Sequence, residues 1–125
     1  MSYANAYRKT QAETASPERL MVLLFEAALR HMREGASGLE QNQRDTFRIH
    51  FSKASAIVAE LSRTLDANRA PELAAQLGPL YTFVCERLTY ANLKADPKLA
   101  REAERVFEPI ADAFTQAVAK AGVAP

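Results

Sequence analysis

Thr14-Ala15-Ser16-Pro17-Glu18-Arg19-Leu20-Met21-Val22-Leu23-Leu24-Phe25 decides the fold of this chain. Ser16 is suited to cap a helix, because its hydroxyl can accept one of the backbone N–H groups that a first turn leaves without a partner. Pro17 then occupies the first helical position, where lacking an N–H costs nothing. The pattern continues to about Leu39 with Leu20, Leu23, Leu24, Ala27, Ala28 and His31 or Met32 on one face, at steps of three and four. Gly35 and Gly38 would either end this helix near Glu34 or admit a neighbouring helix at close range. We place the turn after them, in the polar stretch Glu40 to Asp45.

The same reading extends outward. A second helix is expected over about Asp45 to Leu65, burying Phe47, Phe51, Ala54, Ile57 or Val58, Leu61 and Leu65. Asp66 to Pro71 forms the next turn. A third helix starts at Pro71 with Leu73, Leu77, Leu80, Val84, Leu88, Ala91 and Ala95 facing inward. Asp96-Pro97 repeats the cap-then-proline signature and opens a fourth helix that buries Leu99, Ala103, Val106, Ile110, Phe114 and Ala117. Pro109 is expected to kink it. The fold class is therefore all-α, an elongated antiparallel up-and-down four-helix bundle with crossing angles near ~20°. The division is residues 1–15 as an N-terminal arm carrying Tyr3 and Tyr7, 16–121 as the bundle and 122–125 as a tail. The arm lacks helical periodicity and is expected to be mobile unless docked.

Composition narrows the function. The 125 residues carry 16 Lys and Arg against 15 Asp and Glu, a net charge of +1 that supplies no field for attracting nucleic acid or an anionic membrane. A single Cys85 excludes an internal disulfide. The first residues lack a signal peptide's apolar segment, and no apolar run reaches the ~20 residues of a membrane span, so a cytoplasmic location without membrane insertion is expected. His31 and His50, the two histidines, fall on different helices, and no Glu-x-x-His pair of the kind that builds a di-iron centre occurs. No metal, cofactor or catalytic residue is expected. Cys85 reads as a small buried apolar group.

One arrangement, Arg44 followed six residues later by His50, resembles the Arg-x(4–6)-His pattern of HEPN ribonucleases. There Arg would stabilise phosphate charge and His would activate a ribose hydroxyl. On a regular helix six residues turn through ~240°, which separates the two side chains. Met21, Phe25, Tyr81, Phe83, Leu93 and Phe107 lie toward the flanks or backs of their helices, where they would suit either a groove for a partner helix or further packing and dimerisation.

A wider resemblance runs in order along the chain: Tyr7, Thr14-Ala15-Ser16-Pro17-x-x-Leu20, Leu24-Phe25-Glu26, Leu80-Tyr81-x-x-Val84 through Leu88, Ala91-Asn92, Asp96 and Ala111-Asp112-Ala113-Phe114. This set resembles the FliS family of flagellar secretion chaperones. The resemblance implies a non-enzymatic cytoplasmic protein that binds the C-terminal segment of flagellin, prevents premature polymerisation and assists delivery to the export gate. It implies a client-binding groove bounded by Leu20, Leu24, Phe25, Leu80, Tyr81, Leu88, Ala91 and Asn92, with Tyr7 as a plug that covers part of it. The family often has Tyr where Phe25 stands and Trp where Phe114 stands. A HEPN-type ribonuclease and a plain helical oligomerisation module, such as a homodimer, remain the alternatives.

Overall fold

The computed structural model describes residues 16–122. Four helices follow one another: α1 Pro17–Glu40, α2 Phe47–Arg63, α3 Pro71–Lys94 and α4 Pro97–Lys120. Each packs against two neighbours in a closed ring, α1 on α2 and α4, α3 on α2 and α4. Partners across the interfaces run in opposite sequence directions, as in Arg33 with Glu104 and Glu40 with Arg101 on α1 and α4, so all four neighbouring pairs are antiparallel. No helix among the described residues is long and apolar enough to cross a membrane.

The start signals act as expected. The Ser16 hydroxyl accepts from the Arg19 backbone N–H at 3.1 Å, and the Asp96 carboxylate accepts from Lys98 at 2.9 Å. Pro17, Pro71 and Pro97 all stand in first turns. α1 continues past both glycines to Glu40. Two close contacts explain them: Gly35 lies against Phe51 of α2, and a β-carbon on Gly38 would lie 2.9 Å from the Gln43 carbonyl oxygen in the turn where the chain folds back.

The core alternates large and small side chains. Phe25, Phe51 and Phe107 are fully enclosed, and Ala27, Ala28, Ala36, Ala54, Ala91, Ala100, Ala103 and Ala111 are buried in the same core. This corrects the expected inward faces of α3 and α4. On α3 the buried set is Tyr81, Val84, Leu88 and Ala91, whereas Leu73 and Leu80 are 50% and 39% exposed. On α4 it is Ala100, Ala103, Phe107 and Ala111; Leu99, Val106 and Ile110 are half-buried and Ala117 is exposed. Small alanines let these two helices rotate so that the rings of Tyr81 and Phe107, expected on the flanks, enter the centre with Phe25. Met21 and Phe83 stay half-buried, and Leu93 is exposed.

Two prolines lie inside helices, Pro109 on α4 and Pro79 on α3, the second unanticipated from sequence. Both helices continue through them. Each proline is on an exposed side of its helix, where water can satisfy the carbonyl that loses its donor. α3 ends at Ala95, a non-glycine residue in the left-handed region with φ 50° and ψ 47°.

Candidate functional site

α2 has 17 residues, whereas the other three helices have 24 each. Ser55 meets Cys85 and Arg48 meets Asn92 across the α2–α3 interface, a register that brings Arg63, the last residue of α2, level with Leu77. The first turn and a half of α3 therefore projects beyond its neighbour. A cleft opens beside this unpartnered segment.

The cleft has a volume of about 650 Å³ and lies at the end of the bundle where α1 begins. Met21 and Phe25 come from α1, Thr64, Leu65, Asp66, Arg69 and Ala70 from the α2–α3 turn, Leu73, Ala74, Leu77 and Tyr81 from α3, and Pro109, Ile110, Ala113 and Phe114 from α4. Its inner wall is aromatic: the Phe25 ring centre lies 5.1 Å from that of Phe114 and 5.5 Å from that of Phe107, and Tyr81 lies 6.3 Å from Phe107. The rings are tilted against one another, and Phe107 backs the wall from within the core. Burial pushes the Tyr81 phenol up to about 12, so it stays neutral in the wall. Polar groups are confined to the rim. There Asp66 accepts from the backbone N–H groups of Asn68 and Arg69 at 2.9 and 3.2 Å, which fixes the turn between α2 and α3.

The large exposed apolar side chains of the described residues concentrate on α3: Leu73, Leu80, Tyr90 and Leu93, with Ile49 on α2. α3 is thus apolar around most of its circumference, a pattern normal for a helix covered on all sides. Farther along, Asn92 ties α3 to α2. Its backbone carbonyl accepts from Arg48 at 2.6 Å and its side-chain amide reaches Ser52 Oγ at 3.4 Å. A shallower depression beside it is lined by Ser52, Ser55, Thr89 and Leu93.

Of the residues expected to bound a client groove, Phe25 and Tyr81 line the cleft, Leu80 is exposed on α3, and Leu20 and Asn92 are half-buried. Leu24, Leu88 and Ala91 are enclosed in the core, so they shape the surface from beneath. Tyr7 lies outside the described residues. Sequence reading missed Leu65, Leu73, Leu77, Ala113 and Pro109 as cleft residues, because no pattern within one helix says where α2 ends relative to α3.

The residues weighed for chemistry take other roles. The His31 and His50 rings meet with their Nδ1 atoms 2.9 Å apart, and His50 Nε2 is 3.4 Å from a Glu34 carboxylate oxygen. Burial, then the charge of Arg30, brings the His31 imidazole down to about 4. Both nitrogens of His50 are thus directed at these partners, and Arg44 stands exposed in the α1–α2 turn. Cys85 is half-buried against the Ser55 carbonyl at 3.9 Å, and burial raises its thiol pKa, the reverse of what an activated nucleophile needs.

The family described as flagellar protein FliS matches residues 1–121. The chain is 33% identical over 113 residues to the flagellar secretion chaperone FliS of Bacillus subtilis (strain 168), covering 90% of this chain and 84% of that protein. It is 31% identical over 121 residues to the flagellar secretion chaperone FliS of Salmonella typhimurium, covering 96% and 90%. It is 32% identical over 100 residues to the flagellar secretion chaperone FliSB of Pseudomonas aeruginosa, covering 80% and 79%.

Proposed function

This chain belongs to the FliS family of flagellar proteins, and from that premise we propose that it is a non-enzymatic cytoplasmic chaperone for the C-terminal segment of flagellin. The observation that carries the reading is the apolar cleft continuous with an over-apolar α3. A subunit segment that will later pack inside a filament carries an apolar face. Laying that face on the cleft and α3 removes both from water at about 25 cal/mol per Å² and blocks the contact that would start polymerisation.

Phe25 and Tyr81 form the floor, with Leu20 and Leu80 toward the edges. Leu24, Leu88 and Ala91 hold the surface in shape from below. Asn92 marks the far end, where its link to Arg48 and Ser52 keeps α2 and α3 together as the client runs past. Ordering a flexible client costs several kcal/mol, which favours an interface spread over a long helix rather than one small pocket. Ser16 opens α1 at the cleft end, and Tyr7, earlier in the sequence, has the apolar body and polar tip of a reversible plug that yields to client or to an export-gate component.

Calorimetric titration with the C-terminal segment of flagellin from the same source, at two temperatures, tests this. One-to-one binding with a negative heat-capacity change is expected. Absence of heat together with absence of co-elution on size exclusion would remove flagellin as client. A ribonuclease reading would instead require RNA cleavage that His50→Ala abolishes.

A further inference from the structure

Away from the cleft, α1 and α2 bring three side chains with metal-ligating atoms together. His31 and His50 face one another through Nδ1 at 2.9 Å, the Glu34 carboxylate stands 3.4 Å from His50 Nε2, and one ligating atom from each residue falls within 4.8 Å of the other two. We propose that His31, Glu34 and His50 bind a divalent late first-row transition cation, Zn²⁺ foremost, which pins α1 to α2.

Two imidazoles with one carboxylate form a ligand set that suits zinc and its neighbours, whereas Mg²⁺ and Ca²⁺ favour oxygen ligands. Metal–nitrogen bonds of about 2.0–2.1 Å in a tetrahedron place ligand atoms roughly 3.4 Å apart. The imidazoles need only part slightly, and the carboxylate needs to swing inward. Glu34, whose side chain is 49% exposed, has room to do so on leaving His50 Nε2, and its place one helical turn after His31 keeps it on the same face. Without metal, one imidazole must donate to the other at this distance, so a cation would take the place of a shared proton. His31 is enclosed and held by the core; His50 and Glu34 reach solvent and supply an entry path and a fourth position for water.

Arg30 and Lys53 are the cationic groups that act on this cluster, and Arg30 lies 3.9 Å from the Glu34 carboxylate. They oppose a second positive charge. The Glu34 carboxylate is therefore needed for charge as well as for coordination.

The test is calorimetric titration of the tag-free, chelator-treated chain with ZnCl₂, with CoCl₂ absorption as a second readout. One-to-one binding in the micromolar range or tighter is expected, with visible Co²⁺ bands of four-coordinate strength and a rise in thermal midpoint on adding zinc. His50→Gln should weaken binding by more than about 100-fold, beyond the loss from a perturbed outer shell. Glu34→Gln should weaken it less, and Cys85→Ser should leave it unchanged. Far-UV circular dichroism checks folding, and Glu34→Gln, at an exposed position, decides the matter should His50→Gln unfold. No binding by the unaltered chain, binding that survives both His50→Gln and Glu34→Gln, or loss in Cys85→Ser would overturn the proposal.

Discussion

The Phe51 ring occupies the space beside Gly35 that a side chain would need: a β-carbon on Gly35 would lie 2.5 Å from Phe51 Cε1 and 2.8 Å from Cδ1. Phe51 is fully buried and cannot retreat. Gly35→Ala gains about 1 kcal/mol of helix propensity but overpacks a closed core. A net loss of about 2 kcal/mol in urea unfolding is expected; an unchanged or raised midpoint would show that α1 and α2 pack less closely.

The glycine and proline signals of α1 show how much of the fold was legible in the sequence. Caps and first-turn prolines act locally, so Ser16-Pro17 and Asp96-Pro97 located their helices without knowledge of the rest. The rotation of α3 and α4 was less accessible, because it depends on which alanines meet which rings. Steps of three and four fit Leu73, Leu77, Leu80 on α3 as well as they fit Leu77, Tyr81, Val84, and only the packed partners Phe25 and Phe107 decide between them. The cleft was hidden for a related reason. It follows from α2 stopping at Arg63 while α3 starts about a turn and a half farther out, a relation between helices rather than a property of either. The His31–His50 contact joins two helices and carried no local signal beyond His31 and Glu34 standing one turn apart.

Ala95 closes α3 with a positive φ that glycine adopts without steric cost. Relief of the β-carbon clash, about 1–2 kcal/mol, exceeds the entropy glycine adds to the unfolded chain. Ala95→Gly should therefore raise stability by about 0.5–1 kcal/mol, read as a higher urea midpoint with an unchanged slope.

Glu104 is held between Arg33 and Arg101, each donating at 2.7 Å. Burial pushes its carboxyl pKa up, but these two hydrogen bonds outweigh it and leave the value lowered. The unfolded chain then binds more protons below about pH 4.5, so this stabilisation is complete above that pH and lost as pH falls through the folded value. Glu104→Gln should cost about 1–2 kcal/mol at pH 7 and progressively less as pH falls below about 4.5 toward 2, by denaturant unfolding across that range. An equal cost throughout would mean that the arginines contribute shape and not charge.

Under the proposed function, Tyr7 is a plug that competes with the client for the cleft. Tyr7→Ala should then tighten flagellin binding about threefold or more, since the client no longer displaces a competitor. Weaker binding in the variant would make Tyr7 a client contact and not a plug.

Paired calorimetry locates the client on the cleft or away from it. The flagellin C-terminal segment is titrated into the unaltered chain and into Ala113→Asp, an exposed cleft position whose change leaves the core intact. A desolvated charge facing an apolar client should weaken binding by at least about tenfold while thermal stability is kept. Equal affinity for both chains would place the client elsewhere on the bundle and contradict the account.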